Sequence, residues 1–148
     1  MIFTTVTQSP EDTIKLGEKI GSLLKSGDVI AYRGGLGAGK TTITRGISIG
    51  LGLGDEVISP TFSLVNEYTG NNARLYHFDM YRITSPDDLE TTGFYDYLED
   101  GGILAIEWSE NIESELPENT IRINIDRIDD NTRKITIDGD DRFADIGT

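Results

Sequence analysis

The sequence predicts an α/β domain built on a central mixed β-sheet, and three observations carry that expectation. A short apolar run, Val29 to Tyr32, leads through a glycine-rich turn into a segment of helical periodicity. Further on, short apolar runs end in carboxylates, at Asp79 and at Glu107. Last, isoleucines alternate with polar residues at 121, 123 and 125 and again at 135 and 137, as in a hairpin with one buried face. A chain of 148 residues has room for one domain, and 1–148 is read as such.

The expected order is helix, strand, glycine loop, helix, several strands with helical pieces, then the hairpin. Ser9-Pro10-Glu11-Asp12 starts the first helix with a capping serine, a proline at the first helical position and acids in the first turn. Leu16, Ile20, Leu23 and Leu24 fall on one helical face, and Gly27 is the expected stop. The second helix should run from Lys40 to Leu51 with Ile43 and Ile47 inward. Phe62–Tyr68 and Leu75–Asp79 read as strands joined through Gly70, Asn71 and Asn72. Ser85-Pro86-Asp87-Asp88 repeats the helix-start pattern, Ile103–Ile106 is the most continuous buried-strand candidate, and Asp129–Thr132 turns the hairpin.

Composition removes whole classes of chemistry. The chain has no cysteine, which excludes disulfide scaffolds, thiol nucleophiles, iron–sulfur clusters and thiolate zinc sites. With one histidine, His77, any metal should be hard and oxygen-bound. Neither a signal-peptide pattern nor a membrane-length apolar stretch occurs, so a soluble, cytoplasmic protein away from membranes is expected. The net charge is −13, and residues 85–148 hold eighteen acids against five bases. Such a surface repels phosphate backbones, which disfavours direct nucleic-acid binding; it reads as a solubilising face.

Gly34-Gly35-Leu36-Gly37-Ala38-Gly39-Lys40-Thr41 fits G-x-x-x-x-G-K-[ST] without a mismatch, between a predicted strand and a predicted helix. This sharpens the fold class to a three-layer domain of the P-loop NTPase type. Around an anion, the backbone N–H groups of Gly37, Ala38 and Gly39 would form the cradle, aided by the positive end of the following helix. Lys40 would reach the β- and γ-phosphates, the Thr41 hydroxyl would ligate Mg²⁺, and Thr42 would meet an α-phosphate oxygen.

Such a loop needs a carboxylate at the end of a neighbouring strand, to hold the metal and order the attacking group. Asp79 and Glu107 compete for that role, with Glu107 ahead on its apolar run, and function is favoured for both. Ser59-Pro60-Thr61-Phe62 lies where nucleotide switches sense the γ-phosphate, although it fits a strand-capping loop equally well. His77 reads as a hydrogen-bonded structural histidine. Trp108 is core filler or an aromatic near the nucleotide, and Arg82 either counters phosphate charge or pairs with an acid. No Asn-Lys-x-Asp stretch is present, which tilts the nucleotide from GTP towards ATP.

Taken in order, Leu36 to Thr42, Ser59-Pro60-Thr61-Phe62, His77-Phe78-Asp79-Met80-Tyr81-Arg82 and Glu107-Trp108 resemble the motifs of the bacterial TsaE family. These are small P-loop ATPases of tRNA threonylcarbamoyladenosine (t6A) synthesis, and the resemblance runs from about Ser9 to Ile125. It implies ATP or ADP with Mg²⁺ as ligands, metal binding by Thr41 and Glu107, a need for Asp79, and a switch loop at Ser59-Pro60-Thr61. It also implies that Ser9 and a basic residue of the C-terminal hairpin, read as Arg133, lie near the nucleotide. The implied partners are TsaB and TsaD as a heterodimer, with tRNA reached only through that complex. One departure stands out: the family commonly carries aspartate where this chain has Gly35.

The combined expectation is an ATPase coupled to a tRNA-modifying complex. Lys40, Thr61, Asp79 and Glu107 would do the chemistry, and Thr41, Asp79 and Glu107 would hold the metal. Gly37, Ala38, Gly39, Lys40, Thr41, Thr42, Ser9, Trp108 and Arg133 would bind nucleotide. Two rivals remain: a small-molecule P-loop kinase, and a nucleotide-gated binding module with little hydrolysis.

Overall fold

The computed structural model describes residues 1–35, 38–54, 56–57 and 65–146. The chain begins with a strand, β1 (Ile2–Thr7), which the sequence reading did not anticipate. Being the sheet's edge, β1 leaves Ile2 and Val6 exposed and turns Phe3 and threonines inward, so it carries no apolar run to read. Helix α1 (Pro10–Leu23) follows, with Ser9 as its cap: the Ser9 hydroxyl accepts from the Asp12 N–H at 3.1 Å. The helix stops at Leu23 rather than at Gly27, which instead takes the left-handed turn (φ 87°) into β2 (Val29–Arg33).

Next come α2 (Lys40–Gly50), β3 (Val65–Thr69) and β4 (Arg74–Asp79). Two one-and-a-half-turn helices, α3 (Pro86–Thr91) and α4 (Phe94–Glu99), lead to β5 (Ile103–Glu107). A 3₁₀ segment (Ser109–Glu115) then leads to the hairpin β6 (Ile121–Arg127) and β7 (Arg133–Asp138). The expected strand over 62–68 is seen from Val65 onward; its first three residues lie outside the described residues.

The described strands form one seven-stranded sheet in the order β1-β7-β6-β2-β5-β4-β3. Strands β6, β2, β5 and β4 run parallel, β7 and β3 run against them, and β1, antiparallel to β7, runs in the direction of the four, which makes the sheet mixed. Strands β2 and β5 lie at the centre, and their continuous apolar runs reflect burial on both faces. One core, with Ile30, Tyr32, Ile103 and Ala105, packs against Leu16, Ile20, Ile43 and Ile47 of α1 and α2. The opposite core, with Val29, Phe78, Leu104 and Ile106, packs against Leu89 and Phe94 of α3 and α4. The result is the expected three layers. Among the described residues, no helix is long and apolar enough to cross a membrane.

Helices α1 and α2 meet backbone to backbone. A Cβ on Gly17 would stand 2.4 Å from the Ile43 carbonyl oxygen, and one on Gly46 would stand 2.2 Å from that of Ile14. Gly21 and Gly50 repeat the contact one turn further along. Such an approach excludes any side chain, so the four glycines set the interhelical distance. Gly46→Ala should force the helices apart and destabilise the fold by about 2–3 kcal/mol. That corresponds to a fall in Tm of roughly 5–10 °C. Thermal unfolding beside the exposed control Ser22→Ala, expected within about 2 °C of the parent, checks this.

Candidate functional site

The site forms where the C-terminal ends of β2, β4 and β5 meet the N-terminus of α2. Gly34 leaves β2 with φ 148°, and a Cβ there would lie 2.6 Å from the Ile125 carbonyl oxygen. Gly39 then caps α2 in the left-handed region at φ 109°. Lys40, Thr41 and Thr42 make the first helical turn, whose N–H groups have no intrahelical acceptor and point outward with the helix's positive end. Of the residues expected to form the cradle, Ala38 and Gly39 are described, the Ala38 N–H donating to the Gly35 carbonyl at 3.2 Å, while Leu36 and Gly37 lie outside the described residues.

Lys40 is buried, and its ammonium makes three contacts. It donates to the Gly34 carbonyl at 3.1 Å, lies 3.9 Å from Glu107 Oε1, and sits over the Trp108 ring, 5.0 Å from its centre. Its partner Glu107 is only 7 % exposed, and the second carboxylate oxygen, Oε2, is 2.5 Å from His77 Nε2. His77 is wholly buried, so the expected hydrogen-bonded histidine is present, but its bond goes to a site carboxylate. Its other ring nitrogen, Nδ1, has no hydrogen-bond partner among the described residues. Behind this cluster the Tyr32 hydroxyl meets Thr44 Oγ1 at 2.7 Å. Burial drives the Tyr32 phenol far above its ordinary range; the Thr44 hydrogen bond opposes this and the Glu107 charge adds to it.

Asp79 and Glu107 are register partners on adjacent parallel strands, so both candidate carboxylates end at the same level. Asp79 is half-buried, and its Oδ1 accepts from the Tyr81 N–H at 2.9 Å. Trp108 is the one non-glycine residue with positive φ (58°) among the described residues. That strained turn directly after β5 lays its ring between Lys40 and Tyr81, whose ring centre is 4.9 Å away. Trp108 thus stands beside Lys40 and also packs against the core that holds Leu104 and Ile106. Arg82 is exposed on the turn after Asp79. Ser59-Pro60-Thr61-Phe62 lies outside the described residues.

Beside the loop is a small cleft of about 40 Å³, lined by Pro10 and Thr13 of α1, Gly39 and Thr42 of α2, and Asp130, Asn131 and Arg133 of the hairpin. Arg133 Nε donates to the Ala38 carbonyl at 2.9 Å, which ties the hairpin to the loop. Ser9 spends its hydroxyl on the helix cap, and its neighbours Pro10 and Thr13 form the wall. On the other side, Tyr81, Ile83, Thr84, Trp108 and Asn111 line a wider groove of about 410 Å³. Sequence reasoning did not single out Thr13, Asn131 or Asn111. The first two flank residues that it did name, and Asn111 is revealed only by its bond to the Met80 carbonyl at 2.8 Å.

The donors suit a hard cation. Thr41 offers a hydroxyl, and Asp79 and Glu107 offer carboxylates, all oxygen. No cluster of three or more acidic or histidine ligands occurs among the described residues.

The family model described as "Threonylcarbamoyl adenosine biosynthesis protein TsaE" matches residues 7–135. A relative from Treponema pallidum, named tRNA threonylcarbamoyladenosine biosynthesis protein TsaE, is 40% identical over 132 residues, covering 89% of this chain and 97% of its own. The Aquifex aeolicus protein of the same name is 43% identical over 134 residues, covering 89% and 92%. Among solved structures, the crystal structure of Bacillus subtilis YdiB superposes with a TM-score of 0.78 at 32% identity, over 99% of this chain and 91% of that one.

The loop glycines should differ in their tolerance. Gly34→Ala meets the Ile125 carbonyl and an unfavourable φ, and should cost about 1–3 kcal/mol. Among the described residues, a Cβ on Gly35 has nothing within 4 Å. Gly35→Asp should therefore leave Tm within about 2 °C of the parent. Thermal unfolding of the two variants side by side checks both.

Proposed function

The chain belongs to the TsaE family, and from that premise we propose that it is a Mg²⁺-dependent ATPase supporting t6A formation on tRNA by acting on the TsaB–TsaD pair. The observation that carries the reading is the convergence of the loop lysine Lys40 and the strand-end Glu107, 3.9 Å apart at the N-terminus of α2. The loop amides and Lys40 would stabilise the charge that builds up on the transferring phosphoryl group. Thr41 and Glu107, with Asp79 beside them, would hold Mg²⁺, which supplies Lewis-acid neutralisation of phosphate charge. Asp79, with Thr61 from the Ser-Pro-Thr segment, would orient the attacking water.

Lys40 already has a carbonyl, a carboxylate and an aromatic face around it. Its charge is thereby fixed at the mouth of the loop, which reduces the reorganisation needed when phosphates enter. The cleft lined by Thr13, Asn131 and Arg133 offers polar groups for the nucleoside end, while Trp108 presents an aromatic face on the other side of the loop. The net charge of −13 suits a protein that meets tRNA only through protein partners.

Phosphate release from Mg·ATP, measured with and without cognate TsaB and TsaD, tests the reading. Release should rise with the partners and fall by about 10²-fold or more in Glu107→Ala and in Lys40→Ala. ATP that binds but stays intact in every mixture would overturn the hydrolase and leave a nucleotide-gated binding module. Turnover only when a small-molecule acceptor is added would point to a kinase.

A further inference from the structure

His77 is the chain's one histidine, wholly buried on β4, and no part of the proposed chemistry uses it. In the sheet register His77 stands opposite Ala105, while Asp79 stands opposite Glu107. Ala105 and Glu107, two residues apart on β5, share one face of the sheet with His77. Its Nε2 thereby reaches Glu107 Oε2 at 2.5 Å. Oε1 of the same carboxylate is the one turned to Lys40, at 3.9 Å.

The other ring nitrogen helps to identify the donor. Nδ1 is buried with no partner among the described residues, and a buried N–H without an acceptor is costly, whereas a bare lone pair costs less. The proton is therefore best placed on Nε2, which donates to Glu107. That hydrogen bond offsets part of the cost of keeping a carboxylate at 7 % exposure and fixes its rotation.

We infer that His77 is a positioning residue: by holding Oε2 of Glu107, it aims Oε1 at the mouth of the loop, where a phosphate-bound Mg²⁺ would meet it. This rests on the reading of Glu107 as a metal ligand and adds the group that orients it. Carboxylate and imidazole ligand shells are commonly oriented by such outer hydrogen bonds, whose removal weakens metal affinity by 10- to 100-fold.

The chain contains a single tryptophan, Trp108, 5.0 Å from the Lys40 ammonium, so intrinsic fluorescence reports on the site without a label. ADP is titrated at zero and at graded MgCl₂, giving the metal-free ADP affinity and the Mg²⁺ concentration for half-maximal tightening. His77→Gln can place an amide N–H near the position of Nε2. His77→Asn is too short to reach Oε2, and His77→Leu has no donor. Thermal unfolding identifies the folded variants, and if the leucine variant does not fold, the asparagine variant decides.

The expected result is metal-free ADP affinity within about twofold of the parent in all three. The Mg²⁺ half-point should rise about tenfold or more in the asparagine and leucine variants, and return to within about threefold in the glutamine variant. An unmoved half-point in the asparagine and leucine variants would overturn the inference, as would equal shifts in all three, which would assign His77 to packing alone. Glu107→Gln run in parallel separates the two layers of argument. If it shifts the half-point and the His77 variants do not, only the positioning role fails. If it does not, the metal reading of Glu107 fails and His77 loses its object.

Discussion

Everything around the loop depends on a carboxylate kept out of water. Glu107 is buried at the end of a central strand, and an isolated buried carboxylate would be prohibitively unfavourable. It is tolerated because Lys40 brings the opposite charge from α2 and His77 brings a hydrogen-bond partner from β4. Those two contacts tie the first turn of α2 and the neighbouring strand to one side chain. Lys40 in turn holds the Gly34 carbonyl, so the entrance and exit of the loop are linked through the same ammonium. The geometry of the loop's two ends is thus stabilised by interactions internal to the protein.

A second constraint is purely steric. The glycine seam between α1 and α2 has no room for a methyl group, and it brings the start of α1 alongside the start of α2. Pro10 and Thr13 therefore face Gly39 and Thr42 across the small cleft. Arg133 closes the third side from β7 through its bond to the Ala38 carbonyl. The beginning, the loop and the last hairpin of the chain, far apart in sequence, converge on one place because of two helix backbones in contact and one guanidinium.

The parts legible in the sequence are those with local causes. Ser9-Pro10 and Ser85-Pro86 announce helix starts because capping is decided within four residues, and both serines accept the expected backbone N–H. Val29–Tyr32 and Ile103–Ile106 announce central strands because burial on both faces leaves an unbroken apolar run. Strand β1 was not legible, since an edge strand with exposed Ile2 and Val6 leaves no such signature. The His77–Glu107 bond was not legible either. It depends on the register between β4 and β5, which no property of either strand alone determines. For the same reason the sequence left Trp108 open between core and site, whereas the left-handed turn at that residue settles its place over Lys40.

The charge distribution gives the buried cluster its importance. A protein of net charge −13 opposes any polyphosphate at long range, and its excess of acids lies in residues 85–148. At physiological ionic strength that field is screened beyond roughly 8 Å, so exposed acids of the hairpin and short helices act weakly on a ligand at the loop. Lys40 is nearly fully buried, and its field is screened far less. Yet Glu107, 3.9 Å away, neutralises much of that positive charge. On the proposed reading, the loop amides and helix terminus alone would then have to balance a ligand carrying several negative charges. On the proposed reading, a divalent cation resolves this conflict, because it gives Glu107 a partner other than Lys40 and leaves the ammonium to the phosphates. On that reading, the side chain that neutralises Lys40 in the protein alone would also make nucleotide binding depend on the metal.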